Sequence, residues 1–258
     1  MTAFQLPADA DRAHSFNAAA AQYAANRPSY PPALFDALEE LAGRPLAGAR
    51  VADIGAGTGI STALLHERGA DVLAVEPGEG MVAQFRRGLP GISVVRGSGN
   101  ALPLADSCAD FLTYAQAWHW TDPAQSVPEA LRVLRPGGAL ALWWNTDAAD
   151  VEWIAEEAER SRRFFGVDAQ AEKTAAADRL KADPSGRLRF TRRDVRWSRG
   201  VPVDTHLANL GSHSIFLLCP EERRTAFLAQ ERDHLLRTFP DGIVEETYDV
   251  FLLVATTP

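Results

Sequence analysis

From Arg50 to Asn145 short apolar runs alternate with stretches in which apolar residues return every three or four positions. Continuous or period-two apolar runs mark strands, and the longer period marks amphipathic helices. The pattern predicts strands at about 50–54, 71–75, 92–95, 109–114 and 138–144, with helices at about 58–67, 79–87 and 123–134. Strand and helix in regular alternation specify a doubly wound α/β fold, a parallel sheet with helices on both faces. Upstream, residues 1–10 read as a frayed end, and an Ala-rich helical pattern from Asp11 to about Leu41 breaks at Arg27-Pro28-Ser29-Tyr30-Pro31-Pro32. Proline suits the first helical position, so a new helix is expected near Pro32. Downstream, a charged helical stretch at about 150–182 contains Trp153, Phe164 and Phe165. A strand from Leu188 to Trp197, helices at 203–211 and 220–238 and a last strand from Glu245 to Ala255 complete the pattern.

The first predicted strand runs into glycine at every second position, Val51-Ala52-Asp53-Ile54-Gly55-Ala56-Gly57-Thr58-Gly59, and the second, Val72-Leu73-Ala74-Val75, ends on Glu76. Glycines there let the backbone turn sharply and lie close to a ligand. Glu76 follows Asp53 by 76 − 53 = 23 residues. At the end of a second strand an acid can accept both hydroxyls of an adenosine ribose. The dinucleotide fingerprint needs a third glycine five positions after the first, and Ile60 stands there instead. A carboxylate at Asp53 would repel a pyrophosphate and suits a cationic amino group.

The pattern Asp53-x-Gly55-x-Gly57-x-Gly59 resembles the first motif of class I S-adenosylmethionine-dependent methyltransferases. Further matching pieces are Phe16, Tyr23 and Arg27-Pro28-x-Tyr30-Pro31, then Gly97-Ser98-Gly99-Asn100-Ala101-Leu102-Pro103, Ala115-Gln116-Ala117-Trp118-His119-Trp120 and Leu134-Arg135-Pro136-Gly137-Gly138. Together they resemble the branch called methyltransferase type 11, similar to trans-aconitate-type small-molecule methyltransferases, and the likeness covers residues 14–145 well. It implies a mostly parallel seven-stranded sheet closed by an antiparallel terminal hairpin. It also implies N-terminal cap helices over 1–45, a cofactor-binding core over 46–147, and over 148–258 a helical insertion, cover and closing strands of the same domain. The cofactor would be S-adenosyl-L-methionine and the product S-adenosyl-L-homocysteine.

On that resemblance Glu76 holds the ribose diol, while Asp53 and the loop Gly55, Ala56, Gly57, Thr58 and Gly59 face the methionine part. Pro77 and Met81 pack by the adenine, though Met81 equally suits a core position. Ser98, Gly99, Asn100 and Ala101 flank the adenine. The family more often has Asp or Glu at one of these places, so Asn100 either accepts from the exocyclic amine or is a turn residue. Tyr23 and Arg27, four apart on one helical face, shield the sulfonium and pair with the methionine carboxylate, or are simply a core Tyr and a helix-end Arg. Gln116 to Trp120 follows the fourth strand, where parallel sheets meet their ligands. His119 there is a candidate general base, and Trp118 and Trp120 are core anchors or walls for a cation. His206 and His213, with Asn209 between them, read as surface residues or as further acid–base groups.

Composition narrows the partners. A net charge of −8 over 258 residues disfavours nonspecific binding to nucleic acid, and no Asn-Pro-Pro-Tyr pattern for nucleobase amines follows the fourth strand. No run reaches the apolar length of a membrane span, and the start of the chain has no basic and apolar leader pattern, so a cytoplasmic location is expected. Cys108 and Cys219 are the only cysteines, far apart and outside metal-ligand spacing, so reduced thiols and no metal are expected. The reading is a methyltransferase acting on a small-molecule acceptor as a monomer or homodimer, with a noncatalytic cofactor-binding module or a nicotinamide enzyme as rivals.

Overall fold

The computed structural model describes residues 24–166 and 183–257. Phe16, Tyr23 and the segment 167–182 lie outside the described residues, and with them the first cap helix and the end of the expected long helix. Seven strands form one sheet in the order β3-β2-β1-β4-β5-β7-β6. They are β1 (Arg50–Ile54), β2 (Asp71–Val75), β3 (Ser93–Val95), β4 (Ala109–Ala115), β5 (Leu134–Asp147), β6 (Thr191–Pro202) and β7 (Ile243–Thr256). The helices are α1 (Pro32–Ala42), α2 (Ile60–Glu67), α3 (Glu79–Gly88), α4 (Pro123–Val133), α5 (Glu152–Phe165), α6 (Val203–Gly211), α7 (Ser214–Leu217) and α8 (Glu221–Thr238). A 3-10 turn covers Trp118–Trp120.

The described chain divides into two compact units, one of residues 29–145, 183–195 and 250–257, the other of residues 24–28, 146–166 and 196–249. In the first, β1 pairs in parallel with β2 and β4, β2 with β3, and β4 with β5. Pleating sends alternate residues to opposite faces. Ala52, Ile54, Leu112, Tyr114, Leu140, Leu142 and Trp144 form one core with Val127, Ala130 and Val133 of α4. The intervening residues face the other way: Ala74 and Val94 meet Val82 and Phe85 of α3, and Trp143 meets Tyr30, just ahead of α1, and Phe35 of α1 edge-on. The sheet is therefore covered on both faces, as the alternation requires. Pro32 opens α1 and Gly43 closes it at φ +64°, a left-handed cap.

Within the second unit Arg196 pairs with Asp249, Ser198 with Thr247 and Arg199 with Glu246. Each step up β6 is a step down β7, so these two strands are antiparallel, as the hairpin requires. Two apolar clusters organise the unit. Val201, Val203, Leu207, Leu235 and Val244 gather around Trp153 and Phe239, and Phe165, Phe216, Cys219 and Phe227 make the other. Cys108 and Cys219 are both free, and only Cys219 is buried.

A buried ion cluster sits in the same unit, and it corrects the surface reading of His206. This side chain is 6% exposed; Nδ1 lies 2.7 Å from Glu246 Oε1 and Nε2 lies 2.9 Å from Glu157 Oε1. Glu246 also accepts from Arg199 Nε at 2.6 Å and from the Tyr248 hydroxyl at 2.8 Å. Burial works against the charge on His206, but hydrogen bonds to two carboxylates prevail and push its pKa up to about 10. The unfolded value is near 6.5, so this contribution to stability is complete below about pH 6.5 and is lost as pH rises through the folded value. Replacing His206 by Gln removes the cation that Glu157 and Glu246 share and leaves Glu246 only Arg199, a loss of roughly 3–5 kcal/mol near pH 6. The difference in unfolding free energy between wild type and His206→Gln should shrink steadily toward pH 10; a difference independent of pH would contradict the ion cluster.

Candidate functional site

The carboxyl ends of β1, β2, β3 and β4 bring most of the singled-out residues of the first unit together. Chain reversal between β1 and α2 places Gly55, Gly57 and Gly59 at φ +68°, +59° and +95°, in the left-handed region. A Cβ on Gly55 would sit 2.5 Å from Ala117 Cβ, whereas Gly57 faces open space within 4 Å. Gly55 is thus required by packing, and Gly57 leaves a bare backbone cradle. The amides of Gly55 and Ala56 both donate to the Val75 carbonyl, at 2.8 and 3.2 Å, which ties the loop to the end of β2.

Glu76 stands one residue beyond that carbonyl and is 7% exposed. Its Oε2 accepts from Gly57 N at 2.9 Å and its Oε1 from Gly78 N at 2.7 Å. Burial raises its pKa, and the two amides partly offset the shift. An ionised carboxylate has about four acceptor positions, so each oxygen keeps one for a further donor. The Thr58 hydroxyl in the same loop is buried and has no hydrogen-bond partner. An acceptor-rich carboxylate, a bare glycine and an unpartnered hydroxyl fit an adenosine ribose with a small polar tail.

Asp53 points into the layer between the sheet and α2. It is fully buried and accepts from the hydroxyls of Thr62 at 2.6 Å and Thr113 at 2.8 Å. Desolvation pushes its pKa up to about 6 against those bonds, with the charge of Glu76 adding to the shift. Met81 is buried and Pro77 is exposed. The 98–101 segment is a small hairpin-like turn, with a bridge between Ser98 and Ala101. Asn100 Oδ1 accepts from Asp122 N at 2.8 Å and Asn100 N donates to Ser98 Oγ at 3.2 Å, which supports the turn reading of Asn100.

Gln116, at the end of β4, adopts φ +57°, a strained conformation for a residue with a side chain. Its Nε2 donates to the Asn145 carbonyl at 3.2 Å. Trp118 is a core anchor, 2% exposed and edge-on to Tyr114, while Trp120 is only half-buried. Trp144 Nε1 donates to His119 Nδ1 at 3.1 Å, and a neutral imidazole so engaged carries its hydrogen on Nε2. Tyr114, absent from the sequence reading, has a buried hydroxyl without a hydrogen-bond partner beside Gly99. Nothing in the apolar pattern of β4 distinguishes it from a core residue. Arg27 belongs to the second unit, where Nη2 donates to the Ser212 carbonyl at 3.2 Å. A surface depression of about 740 Å³ lined by Arg199, Phe239, Asp241 and Ile243 also lies in that unit and contains none of the expected cofactor residues. Among the described residues no His, Cys, Asp and Glu group could hold a metal, and no helix is long and apolar enough to cross a membrane.

Residues 52–142 match the methyltransferase domain family. An uncharacterized methyltransferase of Mycobacterium tuberculosis is 38% identical over 230 residues, covering 89% of this chain and 88% of that protein. A solved type II methyltransferase structure from Anaeromyxobacter dehalogenans is similar over 90% of this chain and 99% of its own, with TM-score 0.65 and 26% identity. A methyltransferase structure from Anabaena variabilis shares the fold, with TM-score 0.56 and 20% identity over 91% of this chain and 99% of its own. The chain belongs to the class I S-adenosylmethionine-dependent methyltransferases and is an enzyme of that family.

Substitution of His119 by Phe leaves the buried Trp144 N–H without its acceptor, at a cost of about 1–3 kcal/mol. The expected result is a lower melting temperature with an unaltered shape of the pH–rate profile. Loss of a limb near neutral pH would instead identify His119 as a base.

Proposed function

We propose that this enzyme transfers the methyl group of S-adenosylmethionine to a small-molecule acceptor, with the cofactor held at the carboxyl ends of β1 to β4. The observation that carries the reading is the junction of the glycine loop and Glu76, where the carboxylate accepts from Gly57 N and Gly78 N and retains capacity for two ribose hydroxyls. Gly55, Ala56, Gly57 and Thr58 would line the methionine part, and the buried Thr58 hydroxyl would gain the partner it lacks. Asp53 would favour the cationic end of the ligand through its field, since its oxygens are taken by threonines. Met81, Gly99 and Ala101 would border the adenine, and Ser98 and Asn100 would shape that border as turn residues. Gln116 and the half-buried Trp120 would lie toward the reacting end.

When bound, the cofactor supplies an activated methyl group. The chain's part is orientation: in-line approach of a nucleophile can draw as much as about 7–11 kcal/mol from positioning alone. His119 would contribute by fixing the Trp118–Trp120 turn through Trp144, as a positioning residue. The acidic composition and the absence of any basic stripe support a small acceptor over nucleic acid.

Hydrogen bonds to a charged group contribute about 1.5–3 kcal/mol each, so Glu76→Ala should weaken S-adenosylmethionine binding by about 10²-fold or more. Calorimetric titration of wild type and variant with S-adenosylmethionine, S-adenosylhomocysteine and a nicotinamide dinucleotide checks this. Binding of the two sulfur compounds alone, lost in the variant, is expected. Equal affinity in both proteins, or dinucleotide binding, would overturn the reading.

A further inference from the structure

Two backbone amides hold the Glu76 carboxylate, and one of them has a support of its own. Oε2 accepts from Gly57 N at 2.9 Å and Oε1 from Gly78 N at 2.7 Å. The N–H of Gly78 and the carbonyl of Pro77 are the two ends of a single planar peptide group. That carbonyl accepts from Arg96 Nη2 at 3.1 Å. Arg96 comes from the neighbouring strand. β2 and β3 pair in parallel with Val75 opposite Val95, and Glu76 N donates to Val95 O at 3.1 Å while Gly97 N donates to Glu76 O at 3.3 Å. Arg96, between those two residues, is thus the cross-strand neighbour of Glu76. Among the described residues it makes no ion pair with Glu76 itself. Its ion pair is with Glu79, at 3.7 Å and with both side chains exposed, a contact that contributes little.

We propose that Arg96 is a positioning residue for Glu76, acting through the Pro77–Gly78 peptide: it fixes the plane of that peptide, and so the angle at which the carboxylate presents its remaining acceptor positions to the cofactor ribose. This rests on the reading above that Glu76 receives the ribose diol. Glycine accepts either sign of φ, so a Pro-Gly peptide turns over at little steric cost, and turning would carry the Gly78 N–H away from Oε1. A guanidinium on the carbonyl opposes that motion with a charge-assisted hydrogen bond. It also polarises the peptide, which makes the N–H at the other end a better donor to a carboxylate. Guanidinium, peptide and carboxylate therefore form a relay in which each bond strengthens the next. Without it Glu76 would keep Gly57 N as its one fixed donor, and its oxygens would not be held at one angle to a diol. The Arg96 side chain is largely exposed, so its effect is a matter of orientation more than of field.

The test uses the whole protein and two readouts. In the ligand-free state, amide hydrogen exchange followed by NMR should be about tenfold faster at Gly78 in Arg96→Met than in wild type. The Gly55 amide, bonded to the Val75 carbonyl, should keep its rate. In calorimetric titration Arg96→Met should weaken S-adenosylhomocysteine about fivefold and its 2′,3′-dideoxy analogue less than about twofold, because that analogue brings Glu76 no hydroxyl to meet. Arg96→Lys keeps a cationic donor and should recover part of both the exchange rate and the affinity. Glu79→Gln should leave both at wild-type values, since the exposed pair is not the support. An unchanged Gly78 rate in Arg96→Met, an unchanged affinity for S-adenosylhomocysteine, or equal losses for the two ligands would each overturn the inference. Intact binding of S-adenosylhomocysteine by wild type in those cases leaves the proposed function standing. Its absence in wild type is a failure of that function, and the exchange at Gly78, which needs no ligand, then decides separately whether Arg96 holds the peptide.

Discussion

The Val75 carbonyl and the Glu76 carboxylate, adjacent at the end of β2, hold the turn on which the first unit is built. Two amides of the glycine loop reach the carbonyl and a third reaches the carboxylate. Parallel pairing of β1 with β2 brings the end of β2 beside the loop, since Ile54 lies in register with Val75. The loop must then turn from strand to helix in five residues without losing its amides. Left-handed glycines allow the turn, and the end of β2 supplies the acceptors. Both requirements act on the same few atoms, so the strand register and the loop conformation are fixed together.

Elements bounded by sharp chemical signals were legible in the sequence. The runs 50–54 and 71–75 end on glycine or acid, and the strands occupy those residues. The expected strand at 138–144 extends over Leu134–Asp147 because Arg135, Pro136, Gly137 and Gly138 are accommodated inside it. Ala109 pairs with Leu134 and Phe111 already with Ala139, a register shift that lets the punctuation pass within a strand. The strand expected from Leu188 to Trp197 lies at Thr191–Pro202. It ends the sheet's strand order, and exposed arginines break its apolar alternation, as suits an edge.

Side-chain roles were less legible, for a physical reason. His119 stands where parallel strands meet ligands, and the indole of Trp144 that engages its Nδ1 comes from 25 residues away. His206 looked like a surface residue because its partners come from 49 and 40 positions away, and no local pattern announces a buried ion cluster. Asp53 illustrates the converse. Its place in the motif was plain, but its orientation depends on Thr62 and Thr113, two hydroxyls that propensity does not distinguish from ordinary strand and helix residues.

The two acids beside the glycine loop share an electrostatic condition that bears on what they can bind. Burial raises the pKa of both Asp53 and Glu76, and the charge of Glu76 adds to the shift on Asp53. A folded value above the unfolded one means that ionisation at neutral pH costs stability. The hydroxyls and amides around these acids offset part of that cost, and no arginine or lysine is hydrogen-bonded to either among the described residues. A ligand bringing positive charge and hydroxyl donors would remove more of it, and one bringing a pyrophosphate would add to it. The proposed cofactor has a sulfonium, an ammonium and a ribose diol, so its charges are the ones this pair of carboxylates is short of. A dinucleotide would need positive charge beside the loop, and there the chain has placed Asp53.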